Sequence, residues 1–319
     1  MATLPKFDPV AVAETGARLR ENIQRAVKVR DEVVRDVMVA LIAEGHVLIE
    51  DYPGVGKTAL ARALARSLDG AYARVQCTVD LLPADVIGTT VFDQRDAHFE
   101  FHPGPVFANI VLVDEINRTS PKTQSGLLEC MQERRVTIDG QPHELGNGFI
   151  VIATQNPIEY EGTYPLPEAQ LDRFSMRLAL GYPPLAEEAR MLNEQTTEPP
   201  LDSLTPVATL AEVTAAIEEA RSLFVEESLN RYVVAVLRHT RGSSRLALGA
   251  SPRSGIALLR VAKARALAEG RSFVSPDDVK ACAEPVLAHR LILAPEARAS
   301  GLAGGDLVRE ALEHTPVPV

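Results

Sequence analysis

Apolar positions change their spacing along the chain and divide it into two parts. Up to about residue 180, short continuous apolar runs alternate with stretches of helical spacing, whereas helical runs dominate after residue 184. The apolar runs are Val47–Ile49, Ala73–Cys77, Ile110–Val113 and Phe149–Ala153. Runs that are apolar on both faces are typical of a parallel β-sheet covered by helices on both sides. The first part is therefore predicted to be a layered α/β unit.

Helical spacing of apolar residues predicts the remaining elements. One helical pattern runs from about Val10 to Ala43, and another from Ala59 to Leu68. The second part contains helical runs at Ala186–Glu194, Val207–Ser222, Glu227–Arg241, Ser254–Ala268 and Pro276–His289. The Pro pair at 183–184 between the two parts is typical of a linker. We expect an αβα unit at residues 1–182 and an all-helical domain at residues 183–319.

Two polar stretches interrupt the first part and have the pattern of β-hairpins. Residues 89–105 carry Phe92, Phe99 and Phe101, and residues 135–145 contain Asp139-Gly140, a favoured two-residue hairpin turn. The three aromatic rings have two readings. They contact a substrate, or they pin the first hairpin onto the protein core.

Composition restricts the classes of function. The 319 residues carry a net charge of −10, which argues against a general nucleic-acid-binding surface because such surfaces are basic. The three cysteines are far apart and are expected to be small buried side chains in a reducing compartment. The seven histidines also lack metal-ligand spacing in the sequence. No apolar run is long enough to span a membrane and the first residues lack an apolar signal core, so we expect a cytoplasmic protein.

A glycine-rich segment lies between the first apolar run and the helix that follows it. Its sequence is Asp51-Tyr52-Pro53-Gly54-Val55-Gly56-Lys57-Thr58. Between a strand and a helix, such a segment cradles phosphates with its backbone N–H groups, while the lysine reaches the β- and γ-phosphates and the hydroxyl binds Mg²⁺. We therefore predict a site for ATP or ADP with Mg²⁺ at Pro53, Gly54, Val55, Gly56, Lys57, Thr58 and Ala59. Asp51 departs from the general motif, which has glycine there.

Polar residues at the ends of two other predicted strands complete this site. Asp114 and Glu115 follow the third apolar run, and Asn156 follows the fourth. The carboxyl ends of parallel strands meet at one edge of a sheet, so these side chains are expected beside the glycine-rich segment. Asp114 and Thr58 are predicted to hold Mg²⁺, Glu115 to polarise the attacking water, and Asn156 to contact the γ-phosphate or that water. Alternatively, the acids are simply solvated and Asn156 forms an Asn-Pro turn.

Seven ordered sequence blocks closely resemble the MoxR branch of the AAA+ ATPases, from about Ile23 to the C-terminus. The blocks are residues 53–58 (PGVGKT), 81–85 (LLPAD), 103–109 (PGPVFAN), 113–118 (VDEINR), 153–157 (ATQNP), 161–174 (EGTYPLPEAQLDRF) and 249–253 (GASPR). The resemblance implies an αβα nucleotide-binding core with a parallel sheet, followed by an all-helical lid. It also implies ATP bound at the subunit interfaces of a ring, usually a hexamer. One departure is Val27-Lys28-Val29-Arg30, where the family has a Val-Gly-Gln sequence near the adenine.

The resemblance assigns two arginines to ATP hydrolysis. Arg173 matches the arginine-finger region, which acts on the γ-phosphate of the neighbouring subunit, and Arg253 matches the second sensor, which links lid position to the γ-phosphate. Their structural alternatives are a surface arginine paired with Asp172 and an ordinary arginine at the start of a helix. Both roles are implied by the resemblance and do not follow from residue spacing.

The family also implies an output. A MoxR-type ring would remodel a client protein or insert a metal or cofactor into it, together with a von Willebrand factor A domain protein. Residues 89–105 resemble the family's insertion in the second core helix, which can line a central pore. Two other functions stay open at this point: a DNA-directed ring motor, and a nucleotide-gated assembly switch that hydrolyses ATP slowly.

Overall fold

A five-stranded parallel sheet forms the centre of the first part of the molecule. The computed structural model describes residues 8–52, 54–95, 97–156, 162–183, 185, 188 and 201–318. The strands of this sheet are β1 (Val47–Glu50), β2 (Tyr72–Gln76), β5 (Ile110–Asp114), β8 (Ile150–Gln155) and β9 (Met176–Leu178), in the spatial order β2-β5-β8-β1-β9. All four predicted strands are present. The prediction missed β9, because three residues give too short an apolar run to recognise.

The register of the sheet aligns the strand ends that carry the predicted polar residues. Leu112 of β5 lies opposite Ile152 of β8, which in turn lies opposite Val47 of β1. The carboxyl ends of β1, β5 and β8 therefore meet at one edge. The expectation that every strand is apolar on both faces is wrong for β2, an edge strand in which Val75 is the one fully buried residue.

Twelve helices are found in the described part of the chain. They are α1 (Pro9–Ala26), α2 (Asp31–Ile42), α3 (Lys57–Ser67), α4 (Pro83–Ile87), α5 (Pro121–Glu133), α6 (Glu168–Leu171), α7 (Leu210–Ser222), α8 (Glu227–Gly242), α9 (Pro252–Ala268), α10 (Pro276–Leu287), α11 (Pro295–Ala299) and α12 (Gly304–His314). Side-chain caps fix several starts, as at α9, where the Ser251 hydroxyl accepts from the Ser254 N–H at 3.2 Å. The predicted run Ala186–Glu194 lies almost wholly outside the described residues. Five of these helices were not predicted: α4, α5, α6, α11 and α12.

The single helical pattern predicted for Val10–Ala43 is in fact two helices. The chain becomes extended at Val27, with φ −129° and ψ 119°, and α2 begins at Asp31. The Arg30 guanidinium donates to the backbone oxygens of Leu180 (3.1 Å) and Ala179 (2.8 Å), just after β9. Periodicity alone did not reveal this break, because it depends on contacts with a segment about 150 residues away.

Both predicted hairpins are confirmed. The first pairs β3 (Gly88–Asp93) with β4 (His98–Pro103), and the second pairs β6 (Arg135–Ile138) with β7 (Gln141–Glu144). The second turns at Asp139 (φ 50°) and Gly140 (φ 77°), the two left-handed conformations of a type I′ turn.

The three aromatic residues of the first hairpin differ in burial, and the pinning role is confirmed for one of them. Phe101 is half-buried and packs on His143 of the second hairpin, with ring centroids 4.2 Å apart. Phe92 and Phe99 are 48% and 72% exposed and contact each other. Phe101 therefore pins the hairpins together, whereas Phe92 and Phe99 form an exposed aromatic pair.

Hydrophobic packing is continuous between the first part of the chain and the second. One cluster packs α5 and the second hairpin against one face of the sheet. The other, larger cluster runs from α1, α2 and α3 on the opposite face into α7, α8, α9, α10 and α12. A boundary at residues 182/183 therefore does not separate two independent hydrophobic cores. A two-stranded antiparallel sheet, β10 (Leu246–Leu248) with β11 (Ile292–Leu293), lies among the later helices. No described helix is both long and apolar enough to cross a membrane.

Candidate nucleotide site

The glycine-rich segment has the backbone conformation of a tight turn that opens into a helix. Gly54 and Gly56 have φ values of 83° and 97°, and Gly56 directly precedes α3. A side chain would strain this left-handed conformation, so glycine is required at both positions. The N-terminus of α3, where the helix dipole is positive, lies at the turn. The Lys57 ammonium donates to the backbone oxygen of Asp51 at 2.8 Å, across the same turn.

The contacts of the Asp51 side chain explain why this chain has an aspartate where the general motif has a glycine. Its carboxylate accepts hydrogen bonds from the backbone N–H of Tyr52 (2.8 Å) and of Gly181 (2.7 Å), and the residue is only 5% exposed. The Tyr52 and Tyr182 rings stack beside these bonds. Asp51 thus ties the start of the glycine-rich segment to the chain that follows β9. Pro53, a predicted nucleotide contact, lies outside the described residues.

Asp114 is anchored by both of its carboxylate oxygens. Oδ1 accepts from the Thr154 hydroxyl at 2.6 Å, and Oδ2 accepts from the Arg74 guanidinium at 2.7 Å. The same Thr154 oxygen accepts from the backbone N–H of Glu115 at 2.9 Å. Thr154 is fully buried at the end of β8 and was not among the predicted site residues. Its place opposite the two acids depends on strand order, which the sequence pattern did not supply.

Glu115 has an unusual backbone conformation for a residue other than glycine. Its φ of 58° and ψ of 51° are left-handed, and such strain is concentrated at functional sites. Its carboxylate oxygen Oε2 accepts from the Arg118 guanidinium at 3.1 Å and from the Gln76 amide at 3.3 Å. The sequence interpretation missed Gln76, which comes from edge strand β2.

The predicted phosphate-binding and acidic residues line one cavity. It has a volume of about 370 Å³ and is lined by Gly54, Gly56, Lys57, Thr58, Ala59, Asp114, Glu115 and Asn156. Val55, a further predicted contact, is 6% exposed and belongs to the hydrophobic core. The structure therefore brings together cationic, hydroxyl, carboxylate and amide groups from the ends of β1, β5 and β8.

Neither Arg173 nor Arg253 is among the described residues that line this cavity. Arg173 donates to the Leu128 backbone oxygen at 2.8 Å. The Arg253 guanidinium lies 3.3 Å from the Asp172 carboxylate, which also accepts from the 4%-exposed Arg290 side chain at 2.8 Å. The predicted alternative of an Arg173–Asp172 pair is thus not found in the described part of the chain. Arg173 follows α6 and Asp172 directly, and Arg253 lies in the first turn of α9. We call the region where α6, the start of α9 and the turn after α10 meet around Asp172 the Asp172 junction.

The cysteines behave as the composition suggested. All three are free and buried. Burial is the main cause that raises the pKa of each thiol to about 12, and the charges of Asp114 and Glu115 contribute at Cys77. Thiolate chemistry is therefore disfavoured at Cys77, although it lies next to the cavity.

Two family models match the chain and define its class. Residues 46–176 match the ATPase family associated with various cellular activities (AAA), and residues 238–311 match the AAA lid domain. A crystal structure of a Cytophaga hutchinsonii protein ascribed to the ATPases superposes with a TM-score of 0.89 at 35% identity, covering 98% of this chain and 97% of the other. The fold is that of an AAA ATPase with a helical lid region.

Similar curated proteins identify the branch. The chain is 39% identical to "Chaperone MoxR1" of Mycobacterium tuberculosis, over 93% of this chain and 81% of that protein. It is 34% identical to "Protein MoxR" of Methylorubrum extorquens, over 96% of both chains. It is 46% identical to "Uncharacterized protein YeaC" of Bacillus subtilis, over 94% of this chain and 93% of that protein. The chain belongs to the MoxR family of AAA ATPases.

Proposed function

We propose that this protein hydrolyses ATP in the 370 Å³ cavity and uses the energy to remodel a protein client. The observation that carries the proposal is the joint lining of this cavity by Lys57, Thr58, Asp114, Glu115 and Asn156. These residues supply a phosphate-binding cation, oxygen ligands suited to Mg²⁺, a base and an amide, which together are the components of phosphoryl transfer.

Binding of ATP requires two contacts of the site to rearrange. The backbone N–H groups at Gly54–Thr58 and the Lys57 ammonium hold the phosphates, so Lys57 exchanges its contact with the Asp51 oxygen for phosphate oxygens. Thr58 and Asp114 would hold Mg²⁺, which neutralises developing charge on the phosphates when it is bound. Asp114 is already oriented by Thr154, while Arg74 competes for its other oxygen.

Glu115 is assigned as the residue that polarises the attacking water. Its left-handed backbone places its side chain in the lining of the cavity, and its carboxylate is held by Gln76 and Arg118. The amide of Asn156 lies in the same lining and is assigned to sense the γ-phosphate or that water. Thr154 positions Asp114 and Glu115 together, because one hydroxyl contacts both residues.

Arg173 and Arg253 are assigned to the active site of the neighbouring subunit. Both lie at the Asp172 junction and outside the lining of the cavity of their own chain. A guanidinium retains its charge and can bridge phosphate oxygens, so either can serve a neighbour's γ-phosphate. This arrangement requires a ring, which we propose to be a hexamer, with an AAA core at residues 1–182 and a helical lid at residues 183–319.

The proposed work of the ring is chaperone-like remodelling of a client protein, together with a von Willebrand factor A domain partner. The relative named "Chaperone MoxR1" supports the chaperone-like role, and the exposed pair Phe92 and Phe99 offers an aromatic contact for a polypeptide. The net charge of −10 argues against the DNA-directed motor. A slowly hydrolysing, nucleotide-gated switch is the second candidate, because Arg74 and Arg118 already occupy oxygens of Asp114 and Glu115.

The decisive experiment is the Glu115→Gln variant. We expect it to bind ATP with unchanged affinity but to lose at least about 100-fold in turnover, the range for removing a general base. Fluorescent-nucleotide titration measures the affinity, and a steady-state ATPase assay measures the turnover. In the wild type, a turnover that rises with protein concentration indicates an assembly-dependent motor, whereas a low turnover at every concentration indicates the switch.

Two matched variants separate the possible causes of lost turnover. Glu129→Gln changes an exposed carboxylate of α5 and should hydrolyse ATP normally. Lys57→Ala should weaken ATP binding by about 10- to 100-fold, since a hydrogen bond to a charged group contributes about 1.5–3 kcal/mol. Near-normal turnover in Glu115→Gln would refute its catalytic assignment.

A further inference from the structure

Three potential metal ligands converge where the last turns of α8 and α12 lie side by side. His239 belongs to α8, whereas Glu310 and His314 are four residues apart and so share one face of α12. One ligand atom of each side chain lies within 4.8 Å of the other two. This is the one such trio of His, Cys, Asp or Glu side chains found among the described residues. The two histidines are 75 positions apart in the sequence, so spacing alone did not reveal the trio.

The hydrogen bond of His314 leaves one ring nitrogen suited to binding a metal. Its Nδ1 lies 2.9 Å from the backbone oxygen of Glu310, and a carbonyl oxygen can only accept, so Nδ1 carries the proton. In a neutral ring the lone pair is then on Nε2. Metal-binding histidines usually donate their other N–H group to a carbonyl or carboxylate in this way. This hydrogen bond also satisfies a backbone oxygen in the last turn of α12. It therefore supports a metal site only in combination with the convergence of the three side chains.

The Glu310 carboxylate is also oriented by a neighbouring residue. The Arg245 guanidinium donates to Oε1, and in the described part of the chain Oε2 accepts no hydrogen bond. The ion pair with Arg245 fixes the orientation of this carboxylate and so the direction of its second oxygen. The stacked rings of His239 and His314, with centroids 5.5 Å apart, lie next to this carboxylate.

We propose that His239, Glu310 and His314 form a site for a transition-metal dication of the Zn²⁺ class. Two imidazole nitrogens and one carboxylate oxygen are a ligand set that Zn²⁺ accepts with a water as fourth ligand, whereas Mg²⁺ prefers oxygen ligands alone. At Zn–N distances of 2.0–2.1 Å, tetrahedral ligand atoms are about 3.4 Å apart. The present separations extend up to 4.8 Å, so binding requires side-chain rotation of the exposed His314 and the half-buried His239.

The bound ion would fasten the C-terminal helix of the lid. It would link α8 to α12 across a segment that contains α9, the helix whose second residue is Arg253. A cross-link over a long segment stabilises the folded state because it restricts the unfolded chain. The site is outside the proposed ATP cavity, so its test is independent of ATP hydrolysis.

The test is a calorimetric titration of the untagged full-length protein with ZnCl₂ after removal of metals by chelation. We expect one Zn²⁺ per chain, with an affinity that falls at least about tenfold in His239→Ala, in Glu310→Gln and in His314→Ala, as expected for loss of one ligand. Co²⁺ should give the intense visible absorption of a tetrahedral site, and Zn²⁺ should raise the thermal midpoint of the wild type and not of these variants.

Two controls make the result specific. His102→Ala removes an exposed histidine of β4 and should bind Zn²⁺ like the wild type. Circular dichroism of each variant distinguishes a lost ligand from a lost fold, and Glu310→Gln preserves side-chain size if an alanine variant unfolds. The proposal is overturned if the wild type takes up no Zn²⁺ below about 100 µM, or if a His239→Ala/His314→Ala double variant binds it with wild-type affinity.

Discussion

The ATP cavity and the Asp172 junction use similar residues but differ in completeness. In the cavity, a lysine, a hydroxyl, two carboxylates and an amide from one chain line a single space. At the junction, Arg253 and Arg290 both pair with the single carboxylate of Asp172, and Arg173 donates to a backbone oxygen. The side chains of the cavity can bind a ligand without help from another region, whereas the arginines of the junction already contact groups of their own chain.

This difference indicates how the work is divided between subunits. The cavity contains the groups that bind phosphate and polarise water, but in the described residues Lys57 is the single cation of its lining. Phosphoryl transfer develops negative charge that an additional guanidinium stabilises. Under the proposed function, the junction supplies that charge to another subunit, after Arg173 or Arg253 exchanges its present contact for a phosphate. The predictions below test each side of this comparison.

The largest expected effect is at the junction. Arg173→Ala should lower turnover by about 1,000-fold, the scale of an arginine finger, while ATP affinity stays within a few-fold of the wild type. The informative measurement is the ATPase rate of Arg173→Ala mixed with Glu115→Gln, two variants that are each expected to be inactive alone. If Arg173 acts on the neighbour, mixed rings regain activity, because a Glu115→Gln subunit supplies its arginine to the otherwise intact site of an Arg173→Ala subunit.

Arg238→Ala is the matched control, because it removes an exposed arginine of α8. Alone it should hydrolyse ATP like the wild type, and mixing it with Glu115→Gln should add no activity beyond its own. If mixtures of Arg173→Ala and Glu115→Gln stay as inactive as their components, each subunit uses its own Arg173 and the trans assignment is wrong.

On the cavity side, Thr154→Val should reduce kcat about tenfold with less than a twofold change in KM for ATP. Valine has the shape of threonine but removes the hydroxyl that contacts both Asp114 and Glu115, at a cost of about 1–1.5 kcal/mol for misplacing them. Steady-state kinetics give the two constants. Thr154→Ser retains the hydroxyl and should restore kcat, whereas a loss in both variants would indicate a packing role alone.

Asp51→Gly tests the tie between the glycine-rich segment and the chain after β9. The substitution restores the general motif, yet it should destabilise the protein by about 2 kcal/mol, because the N–H groups of Tyr52 and Gly181 lose a charged acceptor. Urea unfolding measures the change. Asp80→Gly, at an exposed aspartate, is the control for added backbone freedom. Equal stability of Asp51→Gly and the wild type would contradict the structural role of this carboxylate.

Sequence patterns predicted what depends on contiguous residues. The strands that lead to Lys57, Asp114 and Asn156 and the turn at Asp139-Gly140 are confirmed, because local spacing encodes them. The convergence of Lys57, Asp114 and Asn156 was also predicted, but several further contacts between distant segments were missed. Thr154 and Gln76 reach Glu115 only through strand order, and the helix break at Val27 depends on contacts of the nearby Arg30 with the chain after β9.

The smallest effect that we predict is a pH dependence that again separates the two regions. Burial is the main cause that lowers the pKa of His46 beneath the sheet to about 4, and that of His289 at the junction to about 3. His46 makes two hydrogen bonds, to the Met131 oxygen and from the Val151 N–H, whereas His289 contacts the Phe174 oxygen through Nε2. Both rings are therefore neutral in the folded protein.

Because the folded pKa values lie below the unfolded value of about 6.5, the unfolded state binds more protons below that pH. The stability that these rings contribute is complete above pH 6.5 and is lost as pH falls towards about 4 for His46 and about 3 for His289. Each histidine adds a slope of up to about 1.4 kcal/mol per pH unit. Urea unfolding at pH 7, 6 and 5 should show this slope reduced in His289→Gln and in His46→Gln, and unchanged in the exposed His102→Gln. A slope unaffected by His289→Gln would mean that the junction admits a proton and is more solvated than its buried histidine indicates.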